Sequence, residues 1–270
     1  MPETAAPAFE TLRLHTQGAV AVVTLDRPQR LNAAPPQMFA ELHDALRRLP
    51  ALGARALLIT GEGRAFCSGA DLVGGAGASA ATSRGAAAYQ ALTETYSPTM
   101  MALSRLNVPV VCAVNGVAAG IGCALALAAD FTIAARSAYF LEAFVNIGLV
   151  PDGGTTWMLT RQIGKARATE MMMLGERIPA DKAEAWGLIY KAVDDADLMP
   201  QAMALAERLA AGPTRALGLM RQGINRALEQ SYAETLATEA VHQQMAADTA
   251  DAMEGGMAFL QRRKAVFKGA

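Results

Sequence analysis

The fold is decided by the stretch Val108-Pro-Val-Val-Cys-Ala-Val-Asn-Gly-Val-Ala-Ala-Gly-Ile-Gly-Cys-Ala-Leu-Ala-Leu-Ala-Ala-Asp130. A β-branched run breaks at Asn115-Gly116 and is followed by small residues of helical composition. The pattern predicts a buried strand, a tight turn and a buried helix. Glycines at 116, 120 and 122 allow the backbone to turn sharply and to approach another group closely. The N–H groups at the start of such a helix suit an anion or a developing oxyanion.

Three other interpretations of this stretch exist. A transmembrane helix is suggested by the absence of charge from Leu106 to Ala129, but Pro109, Asn115 and many small residues make a poor lipid-facing surface. A dinucleotide-binding turn is disfavoured because the glycine order does not complete G-x-G-x-x-G and no acidic residue is expected about 20 positions on at the end of a second strand. Glycine-assisted helix packing without a ligand remains open from this stretch alone.

Composition favours a soluble globular protein with a large core. The chain has 270 residues, of which 52% are hydrophobic and 18% charged, and its net charge of −1 argues against a nucleic-acid-binding surface. Cys67, Cys112 and Cys123 are odd in number and form no C-x-x-C pair, which argues against a disulfide framework or a zinc site and favours the reducing cytoplasm. The start of the chain, Met1 to Glu10, lacks the pattern of a signal peptide.

Two regions are predicted along the chain. Residues 1–197 alternate strand and helix patterns, as in the β-rich run Val20–Leu25 followed by a helix from Pro36. Residues 73–88 are rich in Gly, Ala, Ser and Thr and predict a mobile loop that could serve as a lid. Residues 198–270 are nearly all helix-forming, with breaks expected at 212–213, 229–231 and 255–256, and predict a helical region that packs on the core or on a neighbouring subunit.

Six motifs give the sequence a clear resemblance to a known family. They are Asp26-Arg-Pro-Gln-Arg-Leu-Asn-Ala33, Phe66-Cys-Ser-Gly-Ala-Asp-Leu72, Val114-Asn-Gly-Val-Ala-Ala-Gly-Ile-Gly-Cys123, Gly148-Leu-Val-Pro-Asp-Gly-Gly154, Ala185-Trp-Gly-Leu188 and Ala258-Phe-Leu-Gln-Arg-Arg263. In this order they resemble the crotonase superfamily of enoyl-CoA hydratases and isomerases. The resemblance implies an α/β fold, a spiral of strand-strand-helix turns with a C-terminal helical subdomain, that assembles as a homotrimer or homohexamer. It implies an acyl-CoA thioester as substrate, with no separate cofactor, metal, nucleic acid or membrane.

The resemblance also assigns residues to the binding of the substrate. The backbone N–H groups of Ala70 and Ile121 match the two donors of the family's oxyanion hole, which stabilise the enolate oxygen of the thioester by a few kcal/mol each. Ile121 replaces the glycine common at its position, but a backbone donor does not depend on the side chain. The residues that match coenzyme A contacts are Arg30, Leu31, Ser68, Asp71, Leu72, Phe259 and Arg262. For Arg30, Phe259 and Arg262, a plain surface or core role stays open.

The carboxylates depart from the pattern of a hydratase. Hydration in this family uses two glutamates, and the matching positions hold Ala124 and Phe144, whereas Glu142 is displaced by two residues and is expected to point elsewhere. Asp152 stands where some family members carry a single catalytic carboxylate. Phe144, Leu149 and Val150 would line an acyl pocket around it and raise its pKa. The alternative role for Asp152 is a helix N-cap or a turn residue.

A single carboxylate that takes a proton from one carbon of an enoyl chain and returns it to another makes an isomerase. This matches the family members that shift double bonds or rearrange ring-derived phenylacetyl-CoA intermediates. Two alternatives remain: an acyl-CoA binder without hydratase activity, and an aromatic acyl-CoA dehalogenase or hydrolase with Asp152 as nucleophile. The scattered His15, His43 and His242 give no support to a dehalogenase base, a catalytic triad or a metal site.

Overall fold

The strands divide into two sheets. The computed structural model describes residues 9–72 and 83–270. In these ranges the strands are β1 Leu12–Gln17, β2 Val20–Leu25, β3 Ala56–Gly61, β4 Ala65–Cys67, β5 Val110–Val114, β6 Val117–Ala119, β7 Phe131–Ala135, β8 Tyr139–Leu141, β9 Ile178–Pro179 and β10 Lys191–Val193. One sheet has the order β1-β2-β3-β5-β7-β10 and the other β4-β6-β8-β9. Only β1 against β2 and β8 against β9 pair in antiparallel fashion among these described strands.

The helices of the described residues follow the strand pairs in chain order. They are α1 Pro36–Arg48, α2 Arg84–Ala91, α3 Ser97–Ser104, α4 Ile121–Leu127, α5 Thr155–Gln162, α6 Gly164–Leu174, α7 Ala180–Ala185, α8 Leu198–Ala210, α9 Thr214–Ala227, α10 Tyr232–Ala247 and α11 Ala250–Leu260. Each of the pairs β3-β4, β5-β6 and β7-β8 gives one strand to each sheet before a helix returns the chain. This is the strand-strand-helix spiral that the motifs predict.

Three strands of the larger sheet are buried along their whole length. Every residue of β2, β3 and β5 is buried, which is typical of parallel strands covered on both faces. Helix α1 packs its apolar side, formed by Met38, Phe39, Leu42 and Leu46, into the same core. The sheet therefore forms a rigid base that holds the shorter strands β4, β6 and β8 and the loops that follow them.

The stretch from Val108 to Asp130 contains one more element than the sequence pattern predicts. After the strand β5 and the turn at Asn115-Gly116, the chain first forms the short strand β6, and α4 begins only after Gly120. A Cβ on Gly116 would lie 2.2 Å from the carbonyl oxygen of Arg64, so only glycine allows this close backbone approach. The extra strand moves the start of the helix to Ile121, next to the second sheet.

The C-terminal region is helical, with two corrections to the prediction. The breaks at 212–213 and 229–231 are present, but α11 continues through Gly255 and Gly256, and the third break lies at Asp248-Thr249, where Thr249 caps α11. Helix α8 packs against β3 and β5 of the larger sheet. The boundary at 197/198 stays a prediction, but the first helix beyond it is part of the core packing.

The predicted loop at residues 73–88 is helical in part. Its portion at 73–82 lies outside the described residues. Its last part is wrong as a loop prediction, because Arg84 starts α2 and Ser83 caps that helix with its side-chain oxygen. No helix in the described ranges has the length and apolar content needed to cross a lipid bilayer.

Candidate active site

Two glycine turns lie side by side after β4 and β6 of the smaller sheet. Gly69 has φ 110° and Gly120 has φ 51°, backbone conformations that favour glycine. A Cβ built on Gly120 would lie 3.9 Å from the Cα of Gly69, so the two turns are in contact. The N–H of Gly120 donates to the carbonyl oxygen of Leu141 at 2.9 Å, which fixes its turn to the end of β8. The residues that follow the two glycines, Ala70 and Ile121, are thereby brought together.

The amides of both residues are left available by the local pairing. Ala70 forms a parallel bridge with Ala34, in which the N–H of Ala34 donates to Gly69 O at 2.8 Å and the N–H of Asp71 donates to Ala34 O at 3.0 Å. This bridge does not use the N–H of Ala70. Ile121 is the first residue of α4, where an N–H has no acceptor within the helix. The arrangement fits two converging donors for an oxyanion.

Five of the residues predicted to bind coenzyme A lie on two adjacent loops. The N–H of Ser68 donates to the carbonyl oxygen of Leu31 at 3.0 Å, which joins the loops. The guanidinium of Arg30 lies 3.9 Å from the carboxylate of Asp71. Leu72 follows with a side chain that is 67% exposed. The two loops thus present a cationic and an apolar side chain beside the Ala70 turn.

Asp71 links two loops of the site. It does not cap the next described helix, which begins at Arg84 with its own cap, Ser83. The Asp71 carboxylate is buried and lies 2.9 Å from the guanidinium of Arg27. It therefore ties the loop that follows β4 to the loop that carries Arg30.

Phe259 and Arg262 are both exposed on the surface. Phe259, at the end of α11, is 84% exposed, and Arg262 follows the helix with φ 53°. Among the described residues, no hydrogen bond or ion pair joins either of them to the loops of Arg30 and Ser68. Their role in binding coenzyme A stays a prediction.

The Asp152 carboxyl is partly buried and lacks a partner on one oxygen. Its Oδ1 is buried and accepts no hydrogen bond from any described residue. Burial disfavours the ionised form and raises the pKa of Asp152 from 3.8 to about 6. The side chain does not cap a helix, because Gly154 is the N-cap of α5 and only the main-chain oxygen of Asp152 is used, by the N–H and hydroxyl of Thr155. The geometry therefore disfavours the N-cap interpretation.

The turn that carries Asp152 packs directly on α4. A Cβ on Gly153 would lie 2.6 Å from both Ile121 Cδ1 and Ala124 Cβ. The turn thus occupies the space above Ala124, the position that the family resemblance matches to a glutamate of hydratases. Asp152 directly precedes Gly153, which packs against Ile121. The N–H of Ile121 is one of the two candidate oxyanion donors.

The predicted acyl pocket is formed only in part by the single chain. Phe144 is buried and its ring would contact a Cβ on Gly120 at 3.4 Å, so it lies beside the oxyanion turn. Leu149 and Val150 are 55% and 79% exposed, so they do not shield Asp152 within one chain. The burial of Asp152 comes instead from the packing of its turn on α4.

Comparison with known proteins identifies the family. The profile of the family described as "Enoyl-CoA hydratase/isomerase" matches residues 15–270. The chain belongs to the enoyl-CoA hydratase/isomerase family. The chain is 44% identical over 263 residues to a "Probable enoyl-CoA hydratase" of Rhodobacter capsulatus, covering 97% of this chain and 99% of that one. It is 41% identical over 266 residues to the "1,2-epoxyphenylacetyl-CoA isomerase" of Escherichia coli, with the same coverage of both chains.

Solved structures confirm the crotonase-like fold. An enoyl-CoA hydratase from Bacillus anthracis has a TM-score of 0.90 at 30% identity, covering 97% of this chain and all of that one. A structure from Geobacillus kaustophilus described as an enoyl-CoA hydratase subunit has a TM-score of 0.89 at 33% identity, covering 98% of this chain and 100% of that one. The spiral and its C-terminal helices are therefore those of the family.

Glu142 lies beside Cys123 of α4 and Thr155 of α5, next to the Asp152 turn. Its side chain is fully buried, so it cannot contact a substrate directly. Neither of its oxygens has a hydrogen bond of normal geometry with a described residue. Burial raises the pKa of Glu142 to about 8, the neighbouring Cys123 thiol and Thr155 hydroxyl lower it, and the charge of Asp152 raises it further. These contacts of Glu142 with Cys123 and Thr155 have no signal in the local sequence.

Two further residues of the site escape sequence reasoning. Tyr96 donates its hydroxyl to the carbonyl oxygen of Ala34 at 2.9 Å, and burial together with the charge of Asp152 raises its pKa. Thr155 follows Asp152 by three positions, and that spacing is the only signal in the sequence for its contact with the Asp152 turn. Among the described residues, no group of three or more side chains could hold a metal ion.

Proposed function

We propose that this protein is an enoyl-CoA isomerase in which Asp152 is the single acid and base. The observation that carries the proposal is the buried, unpartnered Oδ1 of Asp152 on a turn packed against α4, where alanine stands at position 124. A carboxylate with a pKa near 6 is a stronger base than an exposed one and, once protonated, still a usable acid. The absence of a glutamate at positions 124 and 144 disfavours water addition.

The reaction on a 3-enoyl-CoA thioester needs one proton transfer in each direction. The Asp152 carboxylate removes a proton from C2, and the electrons of that C–H bond move through the thioester to its oxygen, giving a dienolate. The N–H groups of Ala70 and Ile121 donate to that oxygen. The Asp152 carboxylic acid then returns the proton to C4, the double bond moves to C2–C3, and the carboxylate is restored.

Coenzyme A is proposed to lie along the two adjacent loops that hold Arg30, Leu31, Ser68, Asp71 and Leu72. Arg30 is the cation that could meet a phosphate of the nucleotide, and Leu72 offers apolar surface beside the Ala70 turn. The isomerase named among the relatives acts on 1,2-epoxyphenylacetyl-CoA, so a ring-derived phenylacetyl-CoA is the second substrate class to test. A cytoplasmic location stays a prediction, consistent with three free, buried cysteines.

The test is turnover of both substrate classes by the purified protein and by Asp152→Asn. We expect conversion of 3-enoyl-CoA to the conjugated 2-enoyl product, followed by ultraviolet absorbance, or rearrangement of the ring-1,2-epoxide of phenylacetyl-CoA, followed by mass and chromatography. Asp152→Asn should lower kcat by about 10²- to 10⁴-fold, the usual contribution of a general acid or base. Asp248→Asn, an exposed change of the same chemistry, is the control.

Other outcomes separate the alternatives. Efficient hydration of crotonyl-CoA would contradict the interpretation of Ala124 and Phe144. Turnover unchanged in Asp152→Asn would refute the assignment of Asp152. Binding of acyl-CoA without turnover of either class would favour an acyl-CoA binder, and release of halide from an aromatic acyl-CoA would favour a dehalogenase.

A further inference from the structure

A buried carboxyl group that the proposed reaction does not use lies directly behind the catalytic turn. Glu142 follows β8, has no exposed surface, and has no hydrogen bond of normal geometry from a described residue to either oxygen. An ionised carboxylate in such a place would lose its hydration without replacement, which is costly. A protonated carboxyl can instead act as a hydrogen-bond donor.

Thr155 is the residue through which Glu142 can reach Asp152. Its side chain is fully buried at the start of α5 and lies beside the Glu142 carboxyl. Its hydroxyl donates to the main-chain oxygen of Asp152 at 2.9 Å, and its N–H donates to the same oxygen at 3.1 Å. A hydroxyl has one proton to donate, but its oxygen can also accept. The neighbour that completes its hydrogen bonding must therefore be a donor.

We propose that Glu142 is a positioning residue: as a neutral acid it donates to the Thr155 hydroxyl oxygen, so that the Thr155 proton stays on the carbonyl of Asp152 and holds the turn that aims the catalytic carboxylate. The inference rests on the proposed function of Asp152. The turn needs this hydrogen bond because Gly153 and Gly154, with positive φ of 62° and 88°, restrict the backbone less than other residues would. This chain of hydrogen bonds from Glu142 through Thr155 to the Asp152 carbonyl, here called the relay, joins the end of β8, the start of α5 and the Asp152 turn.

The groups that face Glu142 determine when it ionises. Cys123 faces it from α4, Thr155 from α5, and Asp152 from the turn. Charged side chains of the other elements packed nearby are at least partly exposed and have partners of their own: Arg177 stacks on Tyr139, Lys182 pairs with Glu170, and Arg136 pairs with Asp181. Burial and then the charge of Asp152 raise the pKa of Glu142, to about 8.

The order of ionisation sets the expected behaviour. Asp152 loses its proton near pH 6 and Glu142 near pH 8, so between these values the base is ionised while Glu142 is still a donor. Above about pH 8, an ionised Glu142 becomes an acceptor and draws the Thr155 proton away from the Asp152 carbonyl. The turn then loses one hydrogen bond and gains a second buried negative charge beside Asp152. Turnover should fall as pH rises through about 8.

Two measurements that need no turnover test the relay. Infrared spectroscopy should show the C=O band of a protonated carboxyl that disappears with a midpoint near pH 8 and is absent in Glu142→Gln. In Asp152→Asn the midpoint should fall, because the charge that raises it is gone. Hydrogen exchange of residues 150–158, corrected for the intrinsic rate, should accelerate above pH 8 in the wild type and in the exposed control Glu239→Gln, but not in Glu142→Gln.

Threonine variants and kinetics complete the test. Thr155→Val, which removes the hydroxyl and keeps the shape, should raise the exchange rate about fivefold at all pH values and abolish the alkaline change, whereas Thr155→Ser should keep it. The pH profile of kcat should lose its alkaline limb in Glu142→Gln and keep its acid limb. A wild-type protein that isomerises neither substrate but shows the infrared and exchange changes would refute the proposed function and leave the relay intact. A missing carboxyl band at neutral pH, or identical exchange in Glu142→Gln and the wild type, would overturn the relay.

Discussion

The side chains that fit at positions 124 and 153 are limited by each other, because the two residues are in direct contact. Gly153 approaches Ala124 so closely that a single added carbon at 153 would lie 2.6 Å from the Ala124 side chain. A glutamate at 124 would have to enter the same space. The residue that is absent from the hydratase pattern is therefore coupled to the presence of the Asp152 turn.

At residue scale we expect Ala124→Glu to fail as a route to hydratase activity. Ala124 is fully buried, so the larger side chain must displace the Asp152 turn. Overpacking of this kind costs about 1–3 kcal/mol, and a buried charge adds to it. The free energy of unfolding in urea and the hydration rate of crotonyl-CoA measure the two effects. Ala51→Glu, an exposed change of the same type, is the control, and a stable, hydrating Ala124→Glu would contradict the packing argument.

Asp152→Asn should be more stable than the wild type at neutral pH. The pKa of Asp152 is raised from 3.8 to about 6, so the folded chain holds this proton to higher pH than the unfolded chain does. The stability that protonated Asp152 contributes is therefore lost as pH rises from about 4 to about 6. Asparagine has no such pH dependence, and after allowing for partial exposure we expect a gain of about 1–2 kcal/mol at pH 7.5 that vanishes below about pH 4. Unfolding curves across this pH range measure the gain, and a loss of stability at pH 7.5 would indicate a structural role instead.

The buried side chain of Asn32 fixes the loop that carries Arg30 to the neighbouring loop before β4. Its side chain is fully buried, its Nδ2 donates to Glu62 O at 3.0 Å and Ala65 O at 2.7 Å, and its Oδ1 accepts from the N–H of Arg27 at 2.8 Å. Its φ of 54° also disfavours most other residues. We expect Asn32→Ala to lose about 2–4 kcal/mol of stability and to weaken coenzyme A binding. Asn32→Gly, which tolerates the φ but lacks the amide, should lose about 1 kcal/mol less.

Denaturant unfolding and calorimetric binding of coenzyme A measure both effects of the Asn32 changes. Equal losses in the alanine and glycine variants would show that backbone strain at Asn32 contributes nothing. A loss below about 0.5 kcal/mol in both would contradict the role of the amide hydrogen bonds.

The sequence predicts those elements whose cause is local. Strand β2 and the start of α1 at Pro36 match because hydrophobic pattern and proline placement decide them. Strand β6 escapes prediction because three residues acquire strand geometry only by pairing with β4 and β8. Gly255 and Gly256 lie within α11 despite their low helix propensity, in a helix that Thr249 caps and that buries Asp251 and Ala258. The burial of Glu142 depends on Cys123 and Thr155 from distant parts of the chain, so no local pattern reveals it.

At the scale of the whole molecule, the helical region is fixed at specific points. Arg221 of α9 is buried and pairs with Asp130 at 2.8 Å, beside the end of the stretch that organises the fold. Asp251 of α11 is buried and accepts from the N–H groups of Lys268 and Gly269, which fastens the last residues to this helix. Breaking a buried pair such as the first leaves an uncompensated charge. Helix α9 is thus anchored beside Asp130 and α11 holds the last residues of the chain, while α10 has no buried residue.

We expect the apolar surface of α10 to be covered by another copy of the chain. Val241 and Met245 are one turn apart on this helix and are 55% and 38% exposed, and Leu236 of the same helix is 48% exposed. Apolar side chains exposed together on one helix favour burial against a partner. Light scattering should give three or six times the chain mass of 28.3 kDa for the wild type. The double variant Val241→Glu/Met245→Glu should shift the mass toward 28.3 kDa, whereas Gln243→Glu on the same helix should not.

Because exposed glutamates on a helix disturb the fold of a single chain little, circular dichroism of the double variant should be unchanged. A wild-type mass of 28.3 kDa at micromolar concentration would contradict assembly, and an unchanged mass in the double variant would exclude this face of α10 from the interface.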